Sequence, residues 1–195
     1  NIDMVATKSI TLNESLTFAQ TSGQSVTFTA SGGNISFTDS SDRIQTSGGD
    51  IVMNASGTLS VGKIQTNGGD ITLTGGDFSL SGALETGNGT LTILGVSGET
   101  IGLDGTTVNT TDSTVSTICD SFECGLTLTQ SELTFINAAK LVIGDSSSGH
   151  IYVDGVDTSH ISGGVTLNSS GSGGSVKFGT GSSTFKKATI NAGNG

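Results

Sequence analysis

An octapeptide recurs three times at a spacing of 20 residues: Ile44-Gln-Thr-Ser-Gly-Gly-Asp-Ile51, Ile64-Gln-Thr-Asn-Gly-Gly-Asp-Ile71 and Leu84-Glu-Thr-Gly-Asn-Gly-Thr-Leu91. Self-similarity at such a period is the signature of stacked repeats, in which one unit cannot bury its apolar face alone. A second period of 25 residues links Ile101, Leu126, Ile151 and Val176, each of which opens an apolar-x-apolar triplet.

Both periods fit one scheme of three short strands per coil. The first strand begins at Val26, Ile51, Ile71, Leu91, Val115, Leu141 and Val165, with Ile190 opening another. The second begins at Ile10, Ile35, Leu59, Phe78, Ile101, Leu126, Ile151 and Val176. The third begins at Leu16, Ile44, Ile64, Leu84, Val108, Leu133 and Phe185, with a degenerate copy between Val156 and Ile161. Alternate side chains of a strand share a face, so the residue two places on must also be apolar. In the second strand these residues are Leu12, Phe37, Val61, Leu80, Leu103, Leu128, Val153 and Phe178; in the first, only Thr117 breaks the pattern. Chance does not fill such slots in a chain that is 32% hydrophobic.

Triplets this short, at such regular intervals, stack coil on coil rather than pairing through tight hairpins. Gly-Gly-Asp and Gly-Asn-Gly supply the corners, and the absence of proline suits a backbone whose N–H groups join ladders. The expected fold is all-β: residues 1–195 form a single parallel β-helix of about eight coils of 20–25 residues. Its hand is right, as for parallel crossovers. Residues 130–143 read as two strands rather than a helix. An antiparallel sandwich is the alternative fold, but it does not explain the columns.

The formal net charge is −10, with only 7 Lys and Arg, which disfavours nucleic acid and anionic lipid as partners and favours cations. No apolar stretch approaches the ~18 residues of a membrane span. Cys119 and Cys124, in C-D-S-F-E-C, are close enough to close a small disulfide loop, which implies an oxidising compartment.

Gly-Gly-Asp-Ile-Val-Met (48–53), Gly-Gly-Asp-Ile-Thr-Leu (68–73), Gly-Gly-Ser-Val-Lys-Phe (173–178) and Ile190-Asn-Ala-Gly-Asn-Gly resemble the repeat region of filamentous haemagglutinins and related large bacterial exoproteins. That family's secretion motifs contain proline, so the likeness is to the shaft. The resemblance implies an extracellular, non-enzymatic, adhesive protein whose partners are a cell surface or its glycans. Both ends look cut within the repeat, and an uncapped solenoid end exposes unpaired edge groups, so end-to-end self-association or continuation into a longer chain is expected.

Several residue groups invite a chemical role. Asp145, Asp154 and Asp157, near His150 and His160, form the densest acidic group, a weak calcium candidate and the best available carboxylate set for glycoside chemistry. An acidic loop is the simpler reading. Asp50, Asp70 and Asp77 could bind calcium between turns, but the calcium-roll pattern is absent and they read more simply as turn residues that bond their own backbone. Thr46, Thr66, Thr86 and Thr110 form a ladder that could face ice. A second threonine row fails, because Thr72 and Thr74 stack on Val52 and Asn54, so a polar ladder that satisfies corner hydrogen bonds is the simpler reading. Asn13, Asn34, Asn54, Asn88, Asn109 and Asn168 each begin N-x-S/T, the acceptor pattern for N-glycans. No cofactor pattern stands out: phosphate-loop and dinucleotide spacings are missing, and neither histidine has a serine–aspartate pair beside it in sequence.

Overall fold

The computed structural model describes residues 1–104 and 124–194. Every strand pair in it is parallel, and the chain winds as a β-solenoid of about seven turns. The first sheet contains eight strands, in the order Ile2–Ala6, Ser25–Ala30, Asp50–Ala55, Ile71–Gly75, Thr90–Gly95, Lys140–Ile143, Val165–Ser169 and Ala188–Ala192. The second contains Ile10–Leu12, Ile35–Phe37, Thr58–Val61 and Asp77–Leu80. A third runs from Leu16–Thr17 through Arg43–Gln45, Lys63–Gln65 and Leu84–Glu85 to Ile136–Asn137.

Inward columns follow the expected register. Val26, Ile51, Ile71 and Leu91 are Cα partners in succession and are fully buried. In the second-strand column Leu12, Val61, Leu80, Leu103, Leu128 and Val153 are buried, Phe37 is half-buried, and Phe178 is 50% exposed at the last described level. Each buried aliphatic side chain contributes about 1.5–3 kcal/mol over its exposed state, so the columns supply the folding drive.

The order of turns departs from the order of the chain. A fourth sheet runs Leu126–Leu128, Ile101–Leu103, Ile151–Val153, Val176–Phe178. Ile101 pairs with Leu126 on one side and Ile151 on the other. Leu126–Leu128 packs beside Asp77–Leu80, so the chain passes up to Ile101 and returns beneath it. Leu91 accordingly pairs directly with Leu141, and Leu84 with Ile136. Consecutive stacking of Ile101 on Phe78 is therefore corrected, as is Leu133 as the start of a third strand. The expected strand starts at Val108 and Val115 lie outside the described residues.

Side chains seal the joint that this insertion leaves. Leu126–Leu128 has no backbone ladder to Asp77–Leu80. Instead, Thr127 donates N–H and Oγ1–H to Asp77 Oδ1 at 3.1 and 3.2 Å, and Leu80 N–H donates to Glu132 Oε1 at 3.0 Å. Glu132 belongs to a single helical turn, Gln130–Leu133, which replaces the strand expected there. Thr129 caps it, in a reciprocal box with Glu132. Ile136–Asn137 and Lys140–Ile143 are strands as expected. At the end of the stack, the degenerate third strand is reduced to an isolated bridge between Asp157 and Thr184. The last strand of the first sheet opens at Ala188, which places Ile190 second in its inward column.

Candidate functional site

Threonine has two distinct uses in this fold. Thr46, Thr66 and Thr86 are 1%, 0% and 0% exposed, inside the corners that follow the third sheet. Their hydroxyls donate to the carbonyls of Gly49, Gly69 and Gly89 at 2.6, 2.5 and 2.7 Å. A buried carbonyl without a partner costs ~1–3 kcal/mol, which these bonds avoid. This is the corner-bonding role expected of the ladder in preference to an ice-facing one, and its buried hydroxyls do not face solvent. Thr110 lies outside the described residues.

Outside the third sheet, Gln45, Gln65, Glu85 and Asn137 stack in register. Lys63 Nζ lies 3.1 Å from Glu85 Oε1, and Gln65 Nε2 donates to Asn67 Oδ1 at 3.2 Å. Gln65, Asn67, Glu85, Gly87 and Asn137 line a shallow polar depression. It offers hydrogen-bonding amides and one paired carboxylate, but no nucleophile.

The aspartates serve the backbone. Asp50 Oδ1 accepts from Asp70 N–H at 2.8 Å, and Asp70 Oδ1 from Thr90 N–H at 2.7 Å. Each carboxylate thus bonds the turn above rather than its own, which corrects the local-turn reading. The acidic group of the single turn between Lys140–Ile143 and Val165–Ser169 does not converge. Asp145 accepts from Ser147 N–H at 2.7 Å and from the Ser147 and Ser148 hydroxyls. Asp154 accepts from Gly181 N–H at 2.5 Å, and Asp157 from Ser159 N–H at 2.9 Å. Burial works to raise the Asp145 carboxyl, but the Ser147 and Ser148 bonds outweigh it and hold the group below its ordinary range. The Ser159 bonds lower Asp157 in the same way. Among the described residues, no group of three or more His, Cys, Asp or Glu side chains is placed to hold a metal ion.

One constellation escaped the sequence. Ser175 Oγ lies 2.8 Å from His150 Nδ1, and Lys177 Nζ lies 3.5 Å from the Tyr152 hydroxyl and 5.4 Å from its ring centre. These residues are 25 apart, so the period that defines the turns was the available signal. A cross-strand cation–aromatic pair is what a ladder gains here.

Of the glycan acceptors, Asn13 and Asn34 are exposed but engaged, accepting from Thr38 Oγ1 at 2.6 Å and Thr58 N–H at 2.9 Å. Asn54 and Asn168 are half-buried, and Asn88 is exposed at a corner. Asn109 and Cys119 lie outside the described residues, and with Cys119 the expected bridge to Cys124. No helix among the described residues is long and apolar enough to cross a membrane. Comparison with family models, with curated proteins and with solved structures finds no match to this chain.

Proposed function

We propose that this solenoid is a structural and adhesive shaft segment of an extracellular surface or filament protein, with no catalytic role. What supports the reading is the first sheet, whose eight strands stack without a break and give stiffness along one axis. Seven steps of about 4.8 Å make a rod roughly 34 Å tall in this segment alone. The outward positions carry mainly hydroxyl and amide groups, a surface suited to weak, repeated polar contacts rather than one tight pocket. At the last level Phe178 and Ile190 occupy inward positions while 50% and 47% exposed, so the reading includes a further turn or a second copy stacked over them.

The test is topographic. An antibody raised against the folded segment is expected to label intact, unpermeabilised cells of the source organism, and protease added outside is expected to remove the signal. Labelling that appears only after lysis contradicts the reading.

A further inference from the structure

The outer face of the first sheet is chemically unlike the rest of the molecule. Its central row comprises Thr27, Val52, Thr72, Thr92, Val142, Thr166 and Thr189, which are successive Cα partners on seven adjoining strands. Every one is β-branched. A second row, two residues further along the strands, holds Thr29, Asn54, Thr74 and Leu94 on four of the same strands. Neither row contains a charged residue, although the chain has 17 acidic and 7 basic side chains. The two rows lie beyond Asp3, which pairs with Thr27 at the edge, and are bounded on one side by an outward row that carries Asp50 and Lys140.

The hydroxyls of these rows are unused. Thr27, Thr29, Thr72, Thr74, Thr92, Thr166 and Thr189 form no side-chain hydrogen bond with any other described residue. Thr46, Thr66 and Thr86 do the opposite inside the coil, where each hydroxyl is bonded. The outward rows therefore present a methyl and an unsatisfied hydroxyl at each threonine. Valine at 52 and 142 keeps the methyl and the branch, so the row loses hydroxyls there but not its relief. That is why the interruption by Val52, which breaks a strict threonine pattern, does not break the surface.

We propose that this face binds ice. Strand spacing repeats the row every ~4.8 Å along the axis, and alternate residues set the two rows ~6.7 Å apart, both close to repeats of the ice lattice. Free hydroxyls can join ordered water, and the methyls between them seat in its gaps. A second copy packed flat on this face would have to align its own hydroxyls with these, since any left buried without a partner is unfavourable. A carbohydrate surface would call for aromatic platforms, and neither row has one. The inference goes beyond the shaft reading, since the face would bind ice wherever the rod is displayed.

The experiment measures thermal hysteresis and ice recrystallisation in the purified protein. It compares wild type with Thr72→Lys, Thr92→Lys and the control Ser60→Lys, which lies on the outer face of the second sheet. Circular dichroism melting confirms that each variant is folded. Activity in wild type and Ser60→Lys, with at least a ~10-fold loss in both threonine variants, is the expected result. A wild type that neither slows nor shapes ice growth overturns the proposal. So does equal loss in all three variants, or a face that acts only by pairing copies, seen as a dimer that Thr72→Lys abolishes.

Discussion

The side-chain amide of Gln130 pairs with both backbone groups of Asp157, accepting from its N–H at 2.7 Å and donating to its carbonyl at 3.1 Å. In a parallel ladder the two residues flanking a Cα partner would bond those same two groups, so one side chain here does the work of two backbone positions. Gln130 thus stands in for a missing rung of the third face, just as Asp77 and Glu132 do on the second. The inserted turn is held by side chains because the backbone cannot reach.

Gln130→Ala removes both bonds and leaves the Asp157 groups to water. A loss of about 1–3 kcal/mol is expected in chemical denaturation. Gln130→Glu should restore little, because a carboxylate can accept from the N–H but cannot donate to the carbonyl.

Buried and outward threonines should respond unequally to the same change. Thr66→Val deletes the bond to the Gly69 carbonyl and is expected to cost about 1–2 kcal/mol. Thr74→Val, on the outer face of the first sheet, should lie within about 0.5 kcal/mol of wild type. Thermal melts of the two variants check both values.

Gly69 has room for no side chain, since a Cβ there would overlap the Gly49 carbonyl one turn below. Gly69→Ala is expected to destabilise by at least about 2 kcal/mol. Gly23 has open space around it but a φ of +81°. Gly23→Ala should cost only about 1 kcal/mol, from backbone strain alone.

Glu99 gives the insertion a pH signature. Burial raises its carboxyl above the ordinary range, and the nearby Asp77 charge adds to this, against a lowering bond from Val96 N–H. A raised folded-state value favours the neutral form, so its stabilising contribution is complete below the unfolded value and lost as pH rises through the folded one. Stability measured across the acid range should therefore fall, relative to Glu99→Gln, as pH increases. Asp145, whose carboxyl is held low, behaves in reverse: its contribution exists above the unfolded value and is lost as pH drops through the folded one.

The columns were legible in sequence because burial imposes the same apolar slot on every turn. Leu12, Val61 and Leu128 could be placed without coordinates for that reason. The order of turns was not legible, for the same reason: Ile101 and Leu126 both open an apolar-x-apolar triplet, and either fits on Phe78. Only long-range partners such as Thr127 and Asp77 decide between them. The helical turn did carry a signal, Thr129-Gln-Ser-Glu132, a capping pattern that the aliphatic spacing of residues 133–143 overrode. The outer rows of the first sheet are hidden in sequence by Asn54 and by Val52, a valine that interrupts the threonine pattern. In a folded ladder it shares the branch that defines the surface.

Spin labels on the outer face of the first sheet test the stacking most directly. Thr27 and Thr92 lie three strand steps apart, and Thr27 and Thr166 lie five. Measured in the same protein, with the native cysteines replaced by serine, the two label distances should differ by two steps, about 10 Å. A difference of about 14 Å would mean that another turn is stacked between Leu91 and Leu141. Distances that do not grow along the series would mean that the strands are not piled in register at all.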